Sequence, residues 1–284
     1  MNPAEASENN LKPGPPPNSS ATVYRNLTWA FLVVVILSAG FCLAWPRIAN
    51  AHSLNAHWPD VLFLFSITAA LGFNLARQLP TLNVLASAGI TFLIGGVVQI
   101  IGTYASVPFG PFHFNKEFDP LMFGLVPVPA PVVWVVLILS CRGVARLILR
   151  PWRKVTSYGF WLIGVTAALA TLTDLAVEPY ATFVHHYWFW EATKIPITWY
   201  GAPLVNFLAV GFVALVILAF ITPLLINKQL SRKNVPDFDP LIVWTVMMIV
   251  FSVTMGEAGI WRAVIVNGVI TVVTAGFALR GSRW

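Results

Sequence analysis

The sequence predicts an all-α fold, a polytopic membrane bundle of about eight transmembrane helices. Three observations lead there. Of 284 residues, 57% are apolar and only 10% charged, with a mean hydropathy of +0.76. A soluble domain carries about 25% charged residues and could not cover its surface with so few. The apolar residues are gathered into runs that approach or reach the roughly 17–25 residues a helix needs to cross a hydrocarbon core. Finally, Lys and Arg collect in alternate connections between those runs, the asymmetry that sets membrane orientation.

Residues 1–26 are polar and contain a Pro-Gly-Pro-Pro-Pro stretch at 13–17. Such a segment buries too little apolar surface to offset ordering, so a disordered cytoplasmic tail is expected. Its length and acidity do not suit the n-region of a signal peptide. The run at 27–45 then reads as a first anchor, opening a single transmembrane domain over 27–284. Further spans are expected near 61–76, 82–101, 131–149, 158–177, 204–226, 241–255 and 261–278. The second and seventh are short, and extend if Trp58, or Gly256 and Glu257, join them. With eight spans, thirteen of the 17 basic residues fall on one side, and Arg47, Lys116, Lys194 and Arg262 on the other. The positive-inside rule then predicts a multi-pass protein of the cytoplasmic (inner) membrane with both termini in the cytoplasm. This distribution also accounts for the net charge of +6 without a nucleic-acid partner.

Polar residues inside spans stand out against this background. Asn74, Gln99, Asn206 and Asn267 are candidates for hydrogen bonds between helices. Gly95 and Gly96 suit close helix packing, and Cys42 and Cys141 read as unpaired thiols among apolar neighbours. Asp60 and Arg77 bracket the second span as end charges, and Glu257 is expected to pair with Arg262 across a short turn.

Two segments do not look like ordinary connections. Residues 108–134 read PFGPFHFNKEFDPLMFGLVPVPAPVVW, and residues 174–207 read DLAVEPYATFVHHYWFWEATKIPITWYGAPLVNF. Both are rich in aromatics, Pro and Gly, and hold several of the eleven acids. Irregular backbone at membrane depth persists only where protein or a cavity shelters it, so both are expected to fold into the bundle as walls of a site.

Asp174 is the most informative residue. A carboxylate in the last turns of an apolar span is costly and points to function. Glu178 lies four positions on, the same helix face if the helix reaches that far, although Pro179 disfavours it. Two carboxylates this close and out of water do not both ionise easily, which yields an acid and a base in one site. The plainer reading is a helix cap or an ion pair with Lys194. Tyr187, Trp188, Phe189, Trp190, Trp199 and Tyr200 read either as an interfacial belt or as a π-lined pocket that steadies a positive charge. The five histidines form none of the HxxxH or HxxHH clusters of membrane di-iron oxygenases, and His185 and His186 read as interfacial hydrogen-bonding groups. No metal site and no cofactor motif is expected from these patterns.

At these segments the sequence resembles the carotenoid-biosynthesis membrane family that contains the carotenoid 1,2-hydratases. The matching residues are Pro108, Phe109 and Gly110, then Gly124, Pro127 and Trp134. In the second segment they are Asp174, Leu175, Pro179, Trp188, Trp190, Tyr200, Gly201, Pro203, Asn206 and Phe207. The similarity covers most of the membrane part and not the tail. Gln99 stands where the family usually has Glu, Glu178 where it has Asp, and Phe112 and Phe114 where it has Tyr.

The resemblance implies a cofactor-independent hydratase that adds water to a terminal C=C of an acyclic carotenoid. Asp174 and Glu178 would be its acid and base, in either assignment. Phe109, Trp134, Trp188, Trp190 and Tyr200 would hold the lipophilic polyene, with Asn206 orienting water. Membrane lipid and other enzymes of the same pathway would be its neighbours. Two other readings stay open. One is a non-catalytic polyene-binding scaffold of carotenoid assembly. The other is a small transporter using Asp174 and Glu178 as proton sites, with the repeated acid–Pro pairs Asp119-Pro120 and Glu178-Pro179 as a trace of duplication.

Overall fold

The computed structural model describes residues 19–48, 57–118, 120–192, 197–226 and 235–284. Among them are eight helices long and apolar enough to cross a membrane. These are α1 (Ser19–Ile48), α2 (Trp58–Ala76), α3 (Thr81–Ala105), α4 (Pro129–Ile148), α5 (Tyr158–Pro179), α6 (Leu204–Ile221), α7 (Asp239–Glu257) and α8 (Trp261–Ser282). The helical multi-pass bundle predicted from composition is the architecture found. Boundaries shift at several ends. α1 begins at Ser19, inside the segment read as tail, while α2 and α7 gain Trp58, Gly256 and Glu257. The remainder of the proposed tail, and Lys194 with its proposed ion pair, lie outside the described residues.

Helix α4 is the most enclosed span, touching α2, α3, α5, α7 and α8. Helices α3 and α8 are the most open, and their outer faces carry Leu82, Leu85, Leu93, Ile265, Val269 and Val272. An apolar outer face and a packed inner one is the arrangement a lipid solvent demands.

Without a hydrophobic drive between helices in lipid, small residues and polar links hold the bundle together. Gly95 and Gly96 do serve packing: a Cβ on Gly95 would lie 2.6 Å from Trp134 Cγ, and one on Gly96 3.2 Å from Pro131. Asn74 donates to Asp237 Oδ1 at 3.0 Å and to Asp239 Oδ2 at 2.9 Å. Asn267 donates to the Met248 carbonyl at 2.9 Å, joining α8 to α7. Cys42 and Cys141 are buried and unpaired, as expected.

Three polar expectations need correction. Glu257 pairs with Arg47 at the end of α1, not with Arg262. Arg77 is not an isolated end charge: it meets Asp239 at 2.6 Å. Asp60, read as the other end charge, faces the bundle interior, where Tyr180 donates to its Oδ1 at 3.3 Å. In each case the true partner lies on a helix distant in sequence, where local spacing carries no information.

At the other end of α8, Gly281 sits against the Leu147 carbonyl, and a Cβ there would also come within 2.8 Å of Ile148 O. Backbone cannot swing aside as a side chain can. Gly281→Val is therefore expected to destabilise the fold by about 1–3 kcal/mol through overpacking, read as earlier thermal unfolding in detergent. An unchanged melting point would show that α8 does not seat on α4 in this way.

Candidate active site

The site is assembled by the two irregular segments and the ends of α5 and α6. Short strands β1 (Phe112–Phe114) and β4 (Trp188–Trp190) pair antiparallel, with Phe112 opposite Trp190 and Phe114 opposite Trp188, and β2 (Leu121–Met122) pairs with β3 (Val126–Pro127) between them in the chain. Alternation along β4 sends Trp188 and Trp190 to one face and Phe189 to the other. The rings then meet across the strands: Phe112 and Trp190 have centroids 5.3 Å apart, Phe114 and Trp188 6.1 Å. The two aromatic segments thus become one wall.

Helix α5 continues through Pro179 and ends in a π-helical turn, Tyr180–Val184. Proline has no N–H for the carbonyl four residues back, here Leu175. The Trp199 indole N–H takes that place, donating to Leu175 O at 2.9 Å. Helical geometry therefore reaches Glu178, which the proline alone would disfavour, and Asp174 and Glu178 come onto one face a turn apart.

Asn206, in the first turn of α6, joins the two acids. Its Nδ2 donates to Asp174 Oδ2 at 3.0 Å and to Glu178 Oε1 at 3.1 Å. Glu178 Oε2 accepts from the indole N–H groups of Trp190 at 2.9 Å and Trp188 at 3.2 Å. Glu178 is 2% exposed and Asn206 4%. Three N–H donors thus converge on one buried carboxylate, while among the described residues Asp174 accepts from the shared amide.

These groups line a cavity of about 220 Å³. Phe109, Trp134, Trp188, Trp190, Asn206, Asp174 and Glu178 all face it, with Phe112, Phe114 and Gln99. Seven of the eight residues selected from the sequence are thereby brought together. Tyr200 is the exception. It forms, with Gly201, the two-residue turn between β5 (Thr198–Trp199) and β6 (Ala202–Pro203), at φ values of 48° and 84°. Positive φ at both central positions is the hairpin turn that favours glycine. Its ring packs on Phe183 and Trp199, outside the cavity wall.

Sequence reasoning named Trp199 only as one of the clustered aromatics and missed its bond to Leu175 O, whose cue was the carbonyl that Pro179 leaves without a donor. It did not select His57, Asp60 or Tyr180, which share the cavity with Tyr187, one of the aromatics read as either an interfacial belt or a π-lined pocket. His186 does make the plain hydrogen bond expected of it, to Thr182 O at 2.8 Å. The Gln99 side-chain oxygen is buried with no partner among the described residues, so that atom makes none of the interhelical links expected of Gln99 among them.

A model of the family described as "Carotenoid biosynthesis protein" matches residues 59–274. The chain belongs to this family. The match takes in the two irregular segments and seven of the eight spans. Among characterised proteins, this carotenoid-biosynthesis chain is similar to the bisanhydrobacterioruberin hydratase of Haloarcula japonica, 27% identical over 139 residues. That alignment covers 48% of this chain and 44% of the relative, so the chain spans less than half of the relative's length. No solved structure matches it.

Proposed function

We propose that the chain hydrates the terminal C=C of an acyclic carotenoid, with Asp174 donating the proton and Glu178 accepting one from the attacking water. The observation carrying this reading is a pair of carboxylates sharing one Asn206 amide in the wall of an aromatic cavity. The name of the Haloarcula japonica relative agrees with it.

The roles follow from the hydrogen-bond inventory. A protonated carboxyl needs an acceptor for its O–H, whereas both oxygens of Glu178 already receive N–H groups. Glu178 is therefore the ionised member, and Asp174 holds the proton. Transfer from Asp174 to the less substituted alkene carbon forms a C–H bond and leaves a tertiary cation. The π faces of Trp188, Trp190, Phe109 and Trp134 and the Glu178 charge favour that cation. Water then forms the C–O bond and gives a proton to Glu178, and return of that proton to Asp174 resets the pair. Neither oxidation nor reduction occurs, so no redox cofactor is required.

The cavity is smaller than the roughly 300–1,000 Å³ that engulfs a drug-sized ligand. It suits the tip of a long polyene, whose remaining length would lie along lipid or the apolar helix faces. With both termini cytoplasmic, as the basic residues favour, the end of α5 that carries the acids lies near the outer surface of the inner membrane. Other enzymes of the pathway are the natural neighbours for handing on so insoluble a substrate.

Expression in cells that accumulate several acyclic carotenoids tests the proposal. Product carotenoids heavier by one water, detected by mass spectrometry, are expected. Pigment that co-purifies with the protein while no hydrated product forms on any of those precursors would overturn it in favour of the scaffold reading.

A further inference from the structure

The cavity wall contains a second polar group that the hydration scheme does not use. His57 immediately precedes α2, and Asp60 lies in its first turn. His185 follows the π-helical turn that ends α5. His57 and Asp60 face the cavity, and His185 adjoins them, its Nδ1 3.3 Å from Asp60 Oδ2. One ligand atom from each of the three residues lies within 4.8 Å of the others.

A hydrogen bond between His185 and Asp60 accounts for only part of this arrangement. His57 Nδ1 is shut away from solvent and has no partner among the described residues; His185 Nε2 is likewise unpartnered, but it is a different ring atom from the Nδ1 that faces Asp60 and would not touch an ion bound there. Buried polar atoms are costly unless something satisfies them. Two imidazoles and one carboxylate converging at such distances are also the donor set of transition-metal sites that keep a position open for another ligand. Ligand atoms held at roughly 2.0–2.2 Å by a tetrahedral ion stand about 3.3–3.6 Å apart. The Asp60–His185 pair already has that separation. His57 completes the set, with its ligand atom within 4.8 Å of those of the other two. The Tyr180 hydroxyl, donating to Asp60 Oδ1 at 3.3 Å, is placed as the outer partner that orients a ligating carboxylate.

We propose that His57, Asp60 and His185 bind a divalent transition-metal ion of the Zn²⁺ or Fe²⁺ class in the wall of the cavity. Imidazole donors disfavour Ca²⁺ and Mg²⁺, which take oxygen ligands. The inference concerns binding and does not depend on the hydration chemistry of the acid pair.

The test uses the full chain in detergent, stripped with chelator and titrated with Co²⁺ alone, then with Zn²⁺ in competition. Saturation at about one ion per chain, with the visible absorption of low-symmetry Co²⁺, is expected. His57→Ala and His185→Ala should each weaken binding by at least about 100-fold, and Tyr180→Phe by about 10-fold. Asp60→Asn, nearly isosteric, guards against a folding artefact and should also lose the ion. Asp174→Asn should keep it, which separates this site from the acid pair. Absence of saturable binding by the stripped wild-type protein, or undiminished binding by the two His variants, would overturn the proposal.

Discussion

Asp174→Asn is expected to abolish formation of hydrated carotenoid, a loss of about 10²–10⁴-fold or more, the range for removing a positioned general acid. The amide is nearly the same size, and its oxygen can still accept from Asn206, which now bonds Asp174 Oδ2 at 3.0 Å. Membrane insertion and thermal stability should therefore stay close to wild type. What disappears is an O–H acidic enough to protonate an unactivated alkene. Product analysis by mass spectrometry in a carotenoid-accumulating host, normalised to protein in the membrane fraction, gives the comparison. Wild-type product levels in this variant would end the catalytic account of the pair.

Glu178→Gln should cost both activity and stability. Three N–H groups point at the two oxygens of Glu178. Glutamine offers one acceptor oxygen and one NH₂ group, so whichever way the amide turns, an N–H must face another N–H. If the oxygen stays with the two indoles, the NH₂ confronts Asn206, and the reverse orientation strands Trp188 and Trp190. A donor left unsatisfied in a buried site costs about 1–3 kcal/mol, visible as a lower melting temperature in detergent. Loss of the water-activating base should reduce hydration by about 10²-fold or more in addition. Glu178→Asp keeps the acceptor charge and should retain part of both. A Glu178→Gln protein that melts and converts like wild type would mean that the convergence of donors on this side chain has no consequence.

Much of the fold was legible because lipid imposes a simple rule on composition. Each span must bring some twenty apolar residues, and each connection marks itself by polarity, proline or charge. Asp174 and Glu178 were legible for the same reason: an acid in an apolar run is conspicuous, and a spacing of four predicts a shared face. Gly95 and Gly96 announced close packing by their size alone.

Other features depended on residues remote from one another. Trp188 and Trp190 gain their role through β4 pairing with β1, more than seventy positions earlier in the chain. Proline at 179 argued locally against helix at Glu178, and the Trp199 indole, twenty-four residues beyond Leu175, overrides it. Tyr200 shares the aromatic character of its neighbours, yet the backbone of a tight turn carries it away from the cavity. Asp60 looked like an end charge and Glu257 like a partner for Arg262, until their partners arrived from the π-helical turn after α5 and from α1.

The chain by itself determined that eight apolar helices form a membrane bundle and that an acid pair ends the fifth. Those properties follow from transfer free energy and helical periodicity, which act over neighbouring residues. Only the tertiary structure decided that Asn206 bridges the acids, that two indoles cap Glu178, and that His57, Asp60 and His185 meet. Hydrogen-bond partners across a bundle are chosen by helix placement, and spacing along the chain does not encode where a distant donor will point.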